Sequence, residues 1–186
     1  MRLNYNLMYQ WQHNTNKNDF SPKKIVDSYP KYNLDSIENM NIIESLNNVK
    51  ESIVPILKEN NGVNFVFFYP AYSILEYKRM EQDKTLNSFI EIKRLIFDEF
   101  SKYNNVKLYD FQVVNDITRN LENYRDLRHY HQKINTWMLS KIKDNEYESN
   151  VILPTCIRGN MKWNADIILD RLSHRVGAKF KFKTDY

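Results

Sequence analysis

Between Gly62 and Pro70 the chain reads Val63-Asn64-Phe65-Val66-Phe67-Phe68-Tyr69, and this run constrains the fold more than any other. A nearly unbroken apolar, ring-rich stretch of this length predicts a buried β-strand. The parallel form is the natural one, because parallel strands are covered on both faces. A second run, Val106-Lys107-Leu108-Tyr109-Asp110-Phe111, alternates and predicts a second strand. Between them Leu86, Phe89, Ile90, Lys93, Phe97 and Phe100 mark one side of a helix reaching Tyr103. That helix is broken or irregular near Met80–Asp83, and Tyr103-Asn104-Asn105 then turns the chain. Strand, helix and strand at these lengths make a βαβ unit, which crosses over right-handed. Ligands in such sheets sit beyond the carboxyl ends of the strands, so Pro70-Ala71-Tyr72-Ser73 and the residues after Phe111 fall at the functional edge.

Upstream, Ile37, Met40, Ile43, Leu46, Val49, Ile53, Ile56 and Leu57 recur every three or four residues, predicting an amphipathic helix from about Ser36 to Glu59. Ser36 or Asn39 would cap it, Pro55 would kink it near Ser52, and Asn60-Asn61-Gly62 would stop it with a left-handed Gly62. Residues 1–37 are polar and asparagine-rich, and their scattered aromatics (Tyr5, Tyr9, Trp11, Phe20, Tyr29, Tyr32) read as anchors for loop and short helical turns. Ser21-Pro22 begins one such turn, and Tyr29 should be extended before Pro30. Downstream, Ile134, Trp137, Met138 and Ile142 predict a helix from about Gln132 to Lys143, followed by a polar break at Asp144-Asn145-Glu146. A short strand at Val151–Leu153, a short helix around Ile167–Leu172 and a lysine-edged strand at Ala178–Lys183 complete the reading. The domain plan is an irregular segment over 1–35, an α/β core over 36–145 and an extension over 146–186. Two firm strands are few where five or six are ordinary, which predicts a sheet incomplete at its N-terminal side.

At 186 residues the chain supports one sizeable core and does not favour two full domains. Its net charge of +4, from 27 basic and 23 acidic side chains, is a small excess that aids solubility. Acids and bases are interspersed, so no nucleic-acid partner is expected; the terminal Lys179-Phe180-Lys181-Phe182-Lys183 is too short to carry one. The single Cys156 excludes an internal disulfide and any all-cysteine metal site, and three glycines cannot form a phosphate-cradling loop. No cofactor is therefore expected. With neither a signal-like apolar run nor a membrane span in view, the literal expectation is a cytoplasmic chain.

Chemistry concentrates in Asn123-Tyr124-Arg125-Asp126-Leu127-Arg128-His129-Tyr130-His131. Asp126 can fix the tautomer of His129 and stabilise its protonated form, leaving the second ring nitrogen to act as a general base. The same spacing also suits Asp126 as a turn cap, with His129 packed among Tyr124 and Tyr130; D-x-x-H is common and does not decide between them. Such a pair is not a nucleophile. Ser73 stands just past a strand end but lacks the Gly-x-Ser-x-Gly turn that exposes a serine, so it reads as lining the site or capping the next helix. Cys156 reads as packing. Asp126, His129 and His131 are too few for a usual zinc site, and His13 and His174 are remote in sequence, so no metal is expected. Arg119, Arg125 and Arg128 are an anion-facing set or solvated loop residues.

Taken together, Phe67-Phe68-Tyr69-Pro70-Ala71-Tyr72-Ser73, Leu108-Tyr109-Asp110-Phe111 and Asn123 to Tyr130 resemble the C-terminal half of an SGNH (GDSL-like) hydrolase. The likeness spans about residues 36–145 and is nearest to bacterial members associated with cell-surface polysaccharides. It implies a flavodoxin-like three-layer α/β/α fold and a serine acyl esterase or acyltransferase acting on O-acylated carbohydrate. On this resemblance Asp126 is the orienting carboxylate and His129 the catalytic base of a Ser-Asp-His triad. Tyr69, Tyr72, Ser73, Arg125 and Tyr130 then line the substrate site, and the helix at 132–143 closes the domain. The chain departs from the pattern in having no Gly-Asp-Ser anywhere, and its first glycine, Gly62, comes too late for that segment. The expectation is a partial hydrolase domain, inactive alone, whose nucleophile comes from another chain or a missing segment. Such a segment would also allow an extracytoplasmic or anchored protein. The competing expectations are a non-catalytic carbohydrate- or acyl-binding remnant using the cleft at Tyr72, Arg125 and Tyr130, and a small basic nucleic-acid-binding domain.

Overall fold

A computed structural model of the chain describes residues 20–29 and 41–149. In order these form α1 (Pro22–Ser28), α2 (Ile42–Ser52), α3 (Val54–Glu59), β1 (Phe65–Tyr69), α4 (Ile74–Gln82), α5 (Leu86–Phe100), β2 (Val106–Asp110), α6 (Asn115–Thr118), a 3₁₀ turn (Leu121–Asn123) and α7 (Gln132–Lys143). The elements predicted at Val151–Leu153, Ile167–Leu172 and Ala178–Lys183 lie outside the described residues.

β1 and β2 pair in parallel, from Phe65 opposite Val106 to Tyr69 opposite Asp110. The described residues thus form a small α/β fold with a two-strand parallel sheet. The intervening α4 and α5 separate at Lys84, whose φ of 61° is one of the left-handed positions that break a helix. Phe67 lies 4.6 Å from Phe100 of α5, which places α5 against one face of the sheet. Tyr109 and Phe111, on the opposite face, pack with Ile134 and Met138 of α7. The second edge of β2 is taken by the segment after α7, through an antiparallel bridge between Tyr109 and Glu148.

Several expectations shift in position. The single helix of 36–59 is two helices, α2 capped by the Asn41 side chain and α3 begun at Val54-Pro55, because proline is tolerated at a helix start and not in its interior. Ser36 and Asn39 lie outside the described residues; the cap of α2 is Asn41. Ile43, in the predicted apolar stripe, is 73% exposed. Gly62 does not adopt a left-handed conformation; α3 ends on Asn60 at φ −119°, ψ 51°. Tyr29 is helical, not extended, because its side chain is buried in the core and its hydroxyl donates to Gln82 Oε1 at 2.6 Å.

β1 is not the fully buried strand its composition predicts. Its residues alternate between half-buried and exposed, with Val66 45% and Phe68 41% exposed. The alternation follows from the pleat: Phe65, Phe67 and Tyr69 face α5, while Val66 and Phe68 lie over a face that the described helices cover mainly at β2.

Beneath α5 the sheet carries a buried ion pair. Lys93 Nζ donates to Asp110 Oδ2 and Gln112 Oε1, each at 2.7 Å, and lies 4.5 Å from the Tyr69 ring centroid. Burial pulls the Lys93 ammonium below its usual pKa, and the Asp110 carboxylate works against that pull.

Candidate active site

The segment from Asn123 to His131 folds back on itself after β2, α6 and the 3₁₀ turn. Arg125 N–H donates to His129 O at 2.8 Å and His131 N–H to Asn123 O at 2.7 Å, closing the antiparallel bridge between Tyr124 and Tyr130. At its tip Asp126 has both carboxylate oxygens engaged. Oδ1 accepts the backbone N–H groups of Arg128 and His129, each at 2.9 Å, and Oδ2 meets His129 Nδ1 at 2.7 Å. The turn-capping and pairing roles left open by the sequence are therefore both filled, one by each oxygen. His129 does not pack among the tyrosines: its side chain is 55% exposed.

The Asp126 carboxyl feels opposing effects. Burial pushes it up, but the N–H groups of His129 and Arg128, together with the imidazole, hold it below the usual carboxylate value. The acceptor half of the pair is thus ionised at neutral pH. A hydrogen bond at Nδ1 fixes the orientation of the ring and turns Nε2 away from the carboxylate, the arrangement a general base requires.

Residues just beyond β1 hold this loop in place. Ser73 donates its backbone N–H and its hydroxyl to Leu127 O, at 3.0 and 2.8 Å. Tyr124 donates its hydroxyl to Ala71 O at 2.7 Å. Arg128 reaches Glu76 of α4, with Nε 2.7 Å from Oε1, and its guanidinium lies 5.8 Å from the Tyr72 ring centroid. The loop carrying the Asp126–His129 pair is thereby tied to the carboxyl end of β1.

The predicted site residues divide. Tyr72, Arg125 and Tyr130 are half-buried in or beside the loop, and burial with Tyr72 nearby raises the Tyr130 phenol, so Tyr130 stays protonated at neutral pH. Tyr69 faces α5 and lies against Lys93, with its hydroxyl buried and without a hydrogen-bond partner, so it belongs to the sheet interior. Ser73 is 0% exposed and committed to Leu127, so it neither lines the cleft nor makes a side-chain cap on α4. Arg128 is held by Glu76 instead of standing free to meet an anion. His131 caps α7, accepting Lys133 N–H at 3.2 Å, and its ring lies 4.9 Å from Phe20. Among the described residues no group of three metal-ligating side chains forms, and no helix is long and apolar enough to cross a membrane.

Glu76 was invisible to sequence reasoning. It sits in the sequence as one polar residue among several on a short helix, and its partner lies 52 residues away. No family model matches the chain, and no curated protein or solved structure resembles it closely enough to count as a match.

Proposed function

We propose that the chain is part of an SGNH-like serine acyl esterase or acyltransferase acting on O-acylated carbohydrate, in which Asp126 orients His129 and His129 serves as general base. The carrying observation is the 2.7 Å contact between Asp126 Oδ2 and His129 Nδ1, at a loop tied to the carboxyl end of a parallel strand pair. In this reading the base takes a proton from a serine hydroxyl as the hydroxyl attacks the ester carbonyl. An acyl-enzyme forms, and the base then returns the proton to the departing sugar hydroxyl. Ser73 is not that serine, since its hydroxyl is buried against Leu127 O. In this reading the nucleophile is a residue other than Ser73, supplied by another chain or from outside the described residues. The flavodoxin-like three-layer arrangement belongs to the same proposal, with further strands completing the sheet. Tyr72, Arg125 and Tyr130 then form the wall against which the sugar rests.

If another chain supplies the nucleophile, the isolated chain should show no p-nitrophenyl acetate turnover. Hydrolysis that disappears in His129→Ala without unfolding would place the nucleophile within this chain and overturn that source. Binding supplies the positive test: an O-acetylated polysaccharide should bind more tightly than its de-acetylated form, and the Asp126→Asn/His129→Ala double variant should lose the preference. Equal binding of both forms by both proteins favours a second reading, a non-catalytic glycan-binding domain, which the buried state of Ser73 also suits.

A further inference from the structure

Glu76 is 1% exposed, although it stands in the first turn of α4. A carboxylate is costly to bury unless it is paired, and this one is paired twice. Arg79, one turn on, donates Nε and Nη2 to its two oxygens at 3.0 and 2.8 Å. Arg79 is shared, however, because its Nη1 also pairs with the buried Asp83 carboxylate, so these three side chains still carry one net negative charge. The second guanidinium, Arg128, arrives from 52 residues away, placing Nε at 2.7 Å and Nη2 at 2.6 Å from Oε1. Arg128 balances that charge and, because it comes from the loop, it also ties the loop to α4.

Arg128 is anchored at both ends. Its backbone N–H donates to Asp126 Oδ1, and it is the chain neighbour of His129. Ser73 holds Leu127 O and Ala71 O holds the Tyr124 hydroxyl, both on the N-terminal side of His129. The Arg128 arm adds a side-chain anchor at the residue next to His129. We infer that Glu76 is a positioning residue for the Asp126–His129 pair, acting through Arg128. The inference rests on the acid–base reading of that pair. A site whose ring must be held closely needs supporting contacts that lock its own neighbours.

The test is the tautomer of the His129 imidazole, read from nitrogen chemical shifts in the full chain above neutral pH, with the resonance assigned by its loss in His129→Ala. The wild type should show the form protonated on Nδ1. Glu76→Gln, and as the milder change at a half-exposed position Arg128→Ala, should each lower its population several-fold toward a mixture, with far-ultraviolet circular dichroism retained. Arg128→Lys, which keeps the charge but not the forked geometry, should fall between. A fixed tautomer in the wild type that persists in Arg128→Ala and in folded Glu76→Gln would overturn the inference while leaving the acid–base reading intact. A mixture already present in the wild type would sink the acid–base reading itself and this inference with it.

Discussion

Ser73 gives two donors to a single acceptor: its backbone N–H and its hydroxyl converge on Leu127 O, at 3.0 and 2.8 Å. The residue directly after Leu127 reaches back to the same helix through Glu76, and Tyr124 reaches the Ala71 carbonyl. The loop that carries Asp126 and His129 is thus held on three sides by the four-residue link after β1 and the first turn of α4. A serine at a strand end resembles a nucleophile in sequence; here it is a fastening.

Ser73→Ala should lower stability by about 1 kcal/mol, the usual net worth of a buried hydrogen bond, because Leu127 O keeps the backbone donor. Urea unfolding followed by tryptophan fluorescence measures it. Unchanged stability would mean that the hydroxyl does not hold the loop.

Tyr124→Phe removes the one side-chain donor to the buried Ala71 O among the described residues. A loss of about 1–3 kcal/mol is expected. Amide exchange should quicken across residues 123–131 more than in α7. Exchange that quickens uniformly would show that Tyr124 supports the whole core and not this loop.

The Lys93–Asp110 pair is buried under α5, so removing one partner strands a charge. Lys93→Met alone should cost about 3–5 kcal/mol, and Lys93→Met/Asp110→Asn should cost less than the sum of the two single changes. Denaturant midpoints for the four proteins of the cycle give the coupling. Strict additivity would show that the two groups do not interact.

Asp126 is held below the ordinary carboxylate pKa in the folded chain, so the folded state binds fewer protons than the unfolded state in the acidic range. Its contribution to stability is fully present above the unfolded carboxylate value, about 3.9, and is lost as pH falls through the lower folded value. Asp126→Asn should flatten the dependence of the denaturant midpoint on pH below about 4. An identical slope in both proteins would remove Asp126 from the acid transition.

Much of the scaffold was legible because periodicity reports which residues share a face. The period of α7 places its ends at Gln132 and Lys143, and the parallel pairing of β1 with β2 follows from a crossover that only a helix can make. The start of α2 was misplaced because the apolar repeat continues past its true cap at Asn41, and repeat patterns do not register a cap. β1 was expected to be buried because seven mostly apolar residues look alike whether or not a second layer covers them. Within the site, D-x-x-H marked Asp126 and His129 correctly as neighbours. Ser73 stands at the N-cap position of α4, one of its two readings, but its hydroxyl faces Leu127 O and no cleft, because its surroundings and not its place after a strand decide where the hydroxyl reaches.

By itself, the sequence determined α5, α7 and the two apolar runs that become strands, all of which depend on residues near one another along the chain. Only the tertiary structure decided that Ser73, Ala71 and Glu76 hold the loop, across separations of 52 to 54 residues. The reason is physical. A hydrogen bond between distant residues leaves no periodicity in either segment, and a buried carboxylate such as Glu76 reads as a surface residue until the fold brings a second guanidinium to it.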